Sequence, residues 1–340
     1  MKRLFLLLTL SAIFATGCTE DMLNQFKDLI QKPNTEKPDN EQKEPESGIP
    51  TNQIWYTTTD GNIVVPGSSE NIDYEDFEMF DANIVSNTYE DGKGVITFDG
   101  TVTKIDAAFC DCLTIASVTL PNSITEIGWD SFFGCTSLTD VTLSNNLTDI
   151  RGEAFNGSGI TTITIPQSVQ NIEYGSFLAC YALTEFNGKF ASKEGRYLIV
   201  DDAIHSFAPA GITKLVTPDY VTAIGKMPFS YQDELTEVVI TDNITTIGDA
   251  AFLYCENLTK VTLSKNLKYM AENIFYGCIN LKEVYFRGVT PPVFEGVFFD
   301  EWWEIPEDCK IYVPRESVDT YKTVAENSKY VDNIIGYDYE

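Results

Sequence analysis

One frame of apolar residues recurs along this chain at a nearly constant interval, and no other feature restricts its folding so tightly. From Ile127 the frame runs through Phe132, Cys135, Leu138, Val141 and Leu143. It returns as Ile247, Phe252, Cys255, Leu258, Val261 and Leu263, and as Met270, Phe275, Cys278, Leu281, Val284 and Phe286. With weaker copies, the starting positions are 105, 127, 150, 172, 224, 247 and 270, separated by 22, 23, 22, 52, 23 and 23 residues. A unit this short cannot enclose its own apolar face. Successive units must therefore stack, each one turn of a solenoid, with like residues aligned in internal ladders. The 52-residue interval holds two periods and an insertion near 187–211, after which Ile212 to Pro218 supply the strand part of the frame.

Within a unit, Val141-Thr142-Leu143 alternates in, out, in, which predicts a short strand with its apolar side chains toward the core. The residues around Phe132 to Cys135 form a tight helical or turn segment that returns the chain. Pro121, Pro166 and Pro218 end strands, because proline cannot donate the next ladder hydrogen bond.

The frame, with Ile247-Gly248-Asp249-Ala250-Ala251-Phe252 and the proline of Leu120-Pro121, resembles the BspA-type leucine-rich repeat over about Thr101 to Gly288. That resemblance implies a leucine-rich-repeat solenoid of short parallel strands stacked coil on coil. It also implies a surface protein that binds host proteins or other microbes. A scaffold does not determine its ligand, so the ligand face is sought in the strand alternation. Val141 and Leu143 facing inward force Asp140 and Thr142 outward, and every coil repeats this. The expected ligand row is Asp140, Thr142, Thr164, Glu237, Lys260, Thr262, Glu283 and Tyr285, with contacts favoured at its charged and aromatic end from Glu237 to Tyr285.

Ahead of the repeats, Lys2 and Arg3 precede an apolar stretch from Leu4 to Ala15 and then Ala15-Thr16-Gly17-Cys18. The twelve residues from Leu4 to Ala15, apolar except for Thr9 and Ser11, fall short of the roughly 20 needed to span a bilayer, so 1–17 reads as a signal peptide. The segment resembles those of bacterial lipoproteins, which implies lipidation of Cys18 and attachment to the outer membrane. Thr19-Glu20-Asp21 resembles a signal for the outer face. Ordinary cleavage and secretion is the alternative. Residues 18–50 are polar and carry Pro33, Pro38, Pro45 and Pro50, the composition of a disordered tether. Residues 51–100 read as an N-terminal β cap, with a hairpin turn at Asp60-Gly61 between Ile54–Thr59 and Ile63–Val65. The repeats fill 101–290. Residues 291–340 read as a C-terminal cap that includes Trp302 and Trp303 and a helix over Val318 to Ile335.

Lys+Arg 23 against Asp+Glu 51 leaves a formal charge of −28, which argues against nucleic acid and against membrane contact other than through the lipid. A single histidine, His205, removes any site that needs two imidazoles. His205 beside Asp201, Asp202 and Ser206 reads as a loop residue of the insertion. No supported nucleophile announces a triad. Five cysteines (112, 135, 180, 255, 278) share one frame position that Ser158 and Gln232 occupy elsewhere, so they read as buried free thiols. There is no Asp-x-Asp-x-Asp-Gly calcium loop, and the acidic and aromatic run Asp73 to Asp81 reads as a solvated edge. The expectation is a monomeric, non-enzymatic cell-surface binding protein with no cofactor and no metal. It adheres through the sheet face to an extracellular protein or to other cells. The alternative is a polysaccharide-binding or glycan-processing surface lipoprotein.

Overall fold

In a computed structural model of the chain, residues 48–69, 78–295 and 305–339 are described. The signal peptide, Cys18, nearly all of the tether, Asp73 to Phe77, Phe298, Phe299 and the Trp302-Trp303 pair lie outside them. The chain divides into a large unit, Glu44–Gly336, and a second made of Met1–Lys43 with Tyr337–Glu340. In the second, the rings of Tyr337 and Tyr339 meet edge-on at 4.9 Å.

The large unit is a parallel β-solenoid in which each coil contributes two strands. The first is two residues long at the start of the frame: Lys104–Ile105, Glu126–Ile127, Asp149–Ile150 and Asn171–Ile172 pair in parallel, Ile against Ile. Ala223–Ile224, Thr246–Ile247 and Tyr269–Met270 do the same further on. The second carries the Val-x-Leu part of the frame. Asp140–Thr142 pairs with Ile115–Thr119, Thr162–Ile165 with Glu185–Gly188, and Lys214–Val216, Glu237–Val239, Lys260–Thr262, Glu283–Tyr285 and Lys310–Pro314 follow one another in parallel.

Between the strands the chain turns without an α-helix. Two left-handed residues per coil bend it, for example Asp130 (φ 53°) and Gly134 (φ 66°) after Ile127, or Ala250 (φ 53°) and Tyr254 (φ 52°) after Ile247. Glycine takes this conformation freely and other residues at a cost, so the coil's closure is stabilised by what it encloses. What it encloses is mainly the phenylalanine ladder. Phe109, Phe132, Phe155 and Phe177 stack at 5.2–5.4 Å, and Phe229, Phe252 and Phe275 at 4.9–5.7 Å.

The insertion differs from expectation at both ends. Asn187 and Gly188 belong to a solenoid strand, and Ala203 and Ile204 are already back in register with Ala223 and Ile224. What leaves the solenoid is 189–202, whose strand Tyr197–Val200 folds antiparallel onto Ala203–Phe207. The buried apolar residues form two clusters that meet there: Leu198 and Ala208 belong to the N-terminal one, Tyr197, Ile204 and Phe207 to the C-terminal one.

Both caps are also rearranged. Gln53–Thr58 pairs antiparallel with Ile115–Thr119 on one side and with Lys93–Phe98 on the other, so it covers an edge that would otherwise invite another chain. The hairpin is not at Asp60-Gly61, where Asp60 Oδ1 instead accepts the Asn62 N–H at 3.0 Å. It joins Ile84–Glu90 to Lys93–Phe98 through Asp91 (φ 51°) and Gly92 (φ 79°), both left-handed as a tight hairpin requires. At the other end the helix stops early, spanning Val318–Val324, and Ile334–Tyr337 extends the sheet as a strand.

Candidate functional site

The outward side chains of the second strand row behave differently in its two halves. In the N-terminal half Val141, Leu143, Ile163 and Ile165 are buried, while Asp140 and Thr162 are exposed and Thr142 and Thr164 half-buried. Register places Ser117 beside Asp140, Thr119 beside Thr142, and Thr164 beside Asn187. The surface these residues form is small, hydroxylic and weakly acidic.

In the C-terminal half, register sets Lys214, Glu237, Lys260, Glu283 and Lys310 side by side. Unlike charges directly opposite on neighbouring strands attract. Lys214 Nζ lies 3.0 Å from Glu237 Oε2, and Lys260 Nζ 3.9 Å from Oε1. Glu237 and Thr262, both expected on an open surface, are therefore corrected: they hold the outward register but are only 7% and 2% exposed. Among the described residues Glu237 Oε1 accepts no hydrogen bond, and neither does Thr262 Oγ1 engage in one. Lys260 also lies 5.1 Å from the Tyr285 ring, and Tyr285 stacks on Tyr312 at 4.5 Å while its hydroxyl reaches Glu283 Oε2 at 3.2 Å. Lys260, Glu283 and Tyr285, all half-buried, are thus tied together through the Tyr285 ring and hydroxyl. The five-residue charge alternation was legible in the frame, since each of these residues starts the second strand of its coil.

The face made by the first strand row carries charged and aromatic groups outside the expected ligand row. Arg151 reaches Glu173 Oε1 at 2.9 Å and Glu126 Oε2 at 3.2 Å, and Glu173 Oε2 accepts the Gly152 N–H at 2.9 Å. Trp129 and Tyr174, each two residues past the first-strand Ile of its coil, are 50% and 51% exposed. Trp129 covers Gly152 so closely that a Cβ there would meet the indole at 2.2 Å. Tyr174 stacks on His205 with ring centroids 5.0 Å apart and planes 15° apart. Near them burial, reinforced by Glu153, Asp106 and Asp111, pushes the Asp130 carboxyl up to about 6.

His205 is not a loop residue. It lies in the strand Ala203–Phe207, 6% exposed, with Nδ1 2.9 Å from Ser206 Oγ, and desolvation holds it down at about 4, so it is neutral. The frame cysteines hydrogen-bond backward: Cys135 Sγ to Phe109 O at 2.9 Å, Cys180 to Phe155 O at 3.0 Å, Cys255 to Phe229 O at 3.0 Å, and Cys278 to Phe252 O at 3.2 Å. The seven cysteines from Cys110 to Cys309 are free thiols. Burial raises Cys180 to about 12 and carries Cys135 and Cys255 well above the ordinary thiol value. Thiols so protonated are poor nucleophiles. Among the described residues no group of three or more His, Cys, Asp or Glu is placed to hold a metal, and no helix is long and apolar enough to cross a membrane.

A leucine rich cell surface protein from Faecalibacterium prausnitzii is 24% identical, with a TM-score of 0.50, over 70% of this chain and 63% of that one. This chain thus spans under two thirds of that relative's length. The pneumococcal vaccine antigen PcpA is 19% identical over 65% of this chain and 68% of that one, with a TM-score of 0.47. A leucine-rich repeat protein from Bacteroides ovatus is 17% identical over 81% and 98%, with a TM-score of 0.27. No curated protein matches the sequence. Residues 96–193 and 203–300 match the BspA type leucine rich repeat region in six copies, and the gap between the two stretches falls within the 189–202 hairpin excursion. The match takes in more than half of the chain, and the protein belongs to the BspA-type leucine-rich-repeat family.

Proposed function

We propose that this protein is a non-enzymatic binding protein of the cell surface, exported and held to the outer membrane by lipid on Cys18, with the rest of the chain presented to the exterior. Its partner is an extracellular protein, and the contact is made by the N-terminal half of the second strand row. The observation that carries this reading is the row Asp140, Thr142, Thr162 and Thr164, presented on stacked strands whose other face is buried. A row fixed by the sheet loses little freedom on binding. The C-terminal half, which the sequence favoured, contributes less, because its charges are already matched to one another. The lipoprotein pattern before Cys18 supports the anchor, and the cell-surface description of the Faecalibacterium relative agrees with the location.

The test is a solid-phase binding assay of the soluble ectodomain on immobilised fibronectin, fibrinogen, laminin and collagen. Saturable binding to one of them, weakened at least about tenfold by Asp140→Lys with Thr164→Lys at unchanged melting temperature, is the expected result. Binding indifferent to these changes contradicts the assignment.

A further inference from the structure

We propose that the opposite face, made by the first strand row, carries a second binding site, for a neutral, extended polysaccharide chain, with Trp129 and Tyr174 as its two stacking platforms. Twelve phenylalanines, tyrosines and their like fill the core of this fold as its largest fully buried side chains, all of them below 2% exposed. Trp129 and Tyr174 are half-exposed, at 50% and 51%. Each lies against a neighbouring coil: Trp129 over the backbone of Gly152, Tyr174 over the ring of His205. One side of each ring is thus held down and the other is turned to solvent. A ring so fixed loses little rotamer freedom when something stacks on it.

Three features select the occupant. First, the platforms stand two coils apart, about 10 Å at the strand spacing, the reach of a few consecutive pyranose rings in an extended chain. Second, the polar groups between them already pair with one another. Arg151 joins Glu126 and Glu173, and Glu173 holds Gly152 N. Such a network accepts from and donates to hydroxyl groups through its remaining lone pairs and N–H groups, while offering no unmatched cation to an anion. Third, Lys104 ties Asp106 to Glu126 of this network, and the charges of Glu153 and Asp106 both act on Asp130, so the local field is negative. In a chain of formal charge −28 that field turns away uronate and sulfate sugars. A pyranose presents an apolar C–H face to the ring and equatorial hydroxyls to the carboxylates, and it carries no charge.

This site is distinct from the protein-binding row proposed above, which lies on the other strand row, so the two can fail separately. The experiment is a titration of the full chain with xylohexaose, cellohexaose, mannohexaose and laminarihexaose at millimolar concentrations, followed by tryptophan fluorescence and by calorimetry. At least one oligosaccharide is expected to bind. Trp129→Ala and Tyr174→Ala should each weaken it at least about tenfold, whereas Trp129→Phe, Tyr174→Phe and Asp140→Lys should leave it within about threefold. Binding to none of the four, or binding that survives Trp129→Ala, overturns the proposal. So does tighter binding of polygalacturonate than of the neutral oligomers.

Discussion

The Cys255 thiol donates to the carbonyl oxygen of Phe229, one coil back, at 3.0 Å. The frame cysteine therefore stitches four of the turns to the one before. The bond caps a carbonyl left free by the turn, beneath a phenylalanine stack that buries the same position. Thiol labelling of the native protein should leave Cys135, Cys180, Cys255 and Cys278 unmodified until denaturant is added. Cys255→Ser, which keeps a donor, should cost less than about 1.5 kcal/mol. Phe252→Ala, which empties the ladder, should cost about 3–5 kcal/mol. Urea unfolding of the three proteins checks the order. Fast native-state labelling would refute the burial of the row.

Glu237 lies between Lys214 and Lys260, with little exposure and one oxygen held only by a 3.9 Å charge contact. Removing it takes away the carboxylate that lies between the two lysines. Glu237→Ala should lower stability by about 1–3 kcal/mol, and Lys214→Ala, at the exposed end, by less than about 1 kcal/mol. A double-mutant cycle in urea measures the coupling.

Two groups make stability depend on pH in opposite senses. Asp130 titrates at about 6 in the folded protein, above its ordinary 3.8, so the folded state holds the extra proton and this contribution is lost as pH rises through about 6. His205 titrates at about 4, below its ordinary 6.5. Its contribution is intact above 6.5 and is lost as pH falls toward 4. Asp130→Asn should therefore raise the melting temperature by a few degrees at about pH 7.5, by about half as much at about pH 5, and little at about pH 3.5. His205→Phe should reduce the loss of stability on acidification to about pH 4.5. Thermal scans across this range decide both, and equal shifts at every pH would contradict them.

Metabolic labelling with an alkyne fatty acid should mark the chain, and Cys18→Ala should abolish the label and release the protein from membranes. Unchanged fractionation of that variant would count against the anchor.

The repeat, its Phe and Cys ladders and the in-out alternation of Val141-Thr142-Leu143 were legible because a solenoid writes the same contacts into every period. The insertion's ends were not. Ala203-Ile204-His205 lacks the Gly and Ala-Phe marks of the frame, yet Ile204 still pairs with Ile224. Helical periodicity near Val318 overstated a segment that ends at Val324, since Ile334 is recruited to a sheet edge. Glu237 pairs in register with Lys260 and Val239 with Thr262, but exposure depends on the coils on either side, which alternation within one strand does not report. Trp129 and Tyr174 were visible only against the copies: their position carries Gly152, Lys226 and Asp249 in other coils.

Binding on the second strand row is proposed to run through its N-terminal half. Surface plasmon resonance of the ectodomain over an extracellular-matrix protein that it captures tests this most directly, comparing Asp140→Lys/Thr164→Lys with Glu283→Ala/Tyr285→Ala. The first pair should weaken binding at least about tenfold and the second by less than about threefold, both at unchanged melting temperature. The reverse order would show that the contact lies on the charged and aromatic end of the sheet.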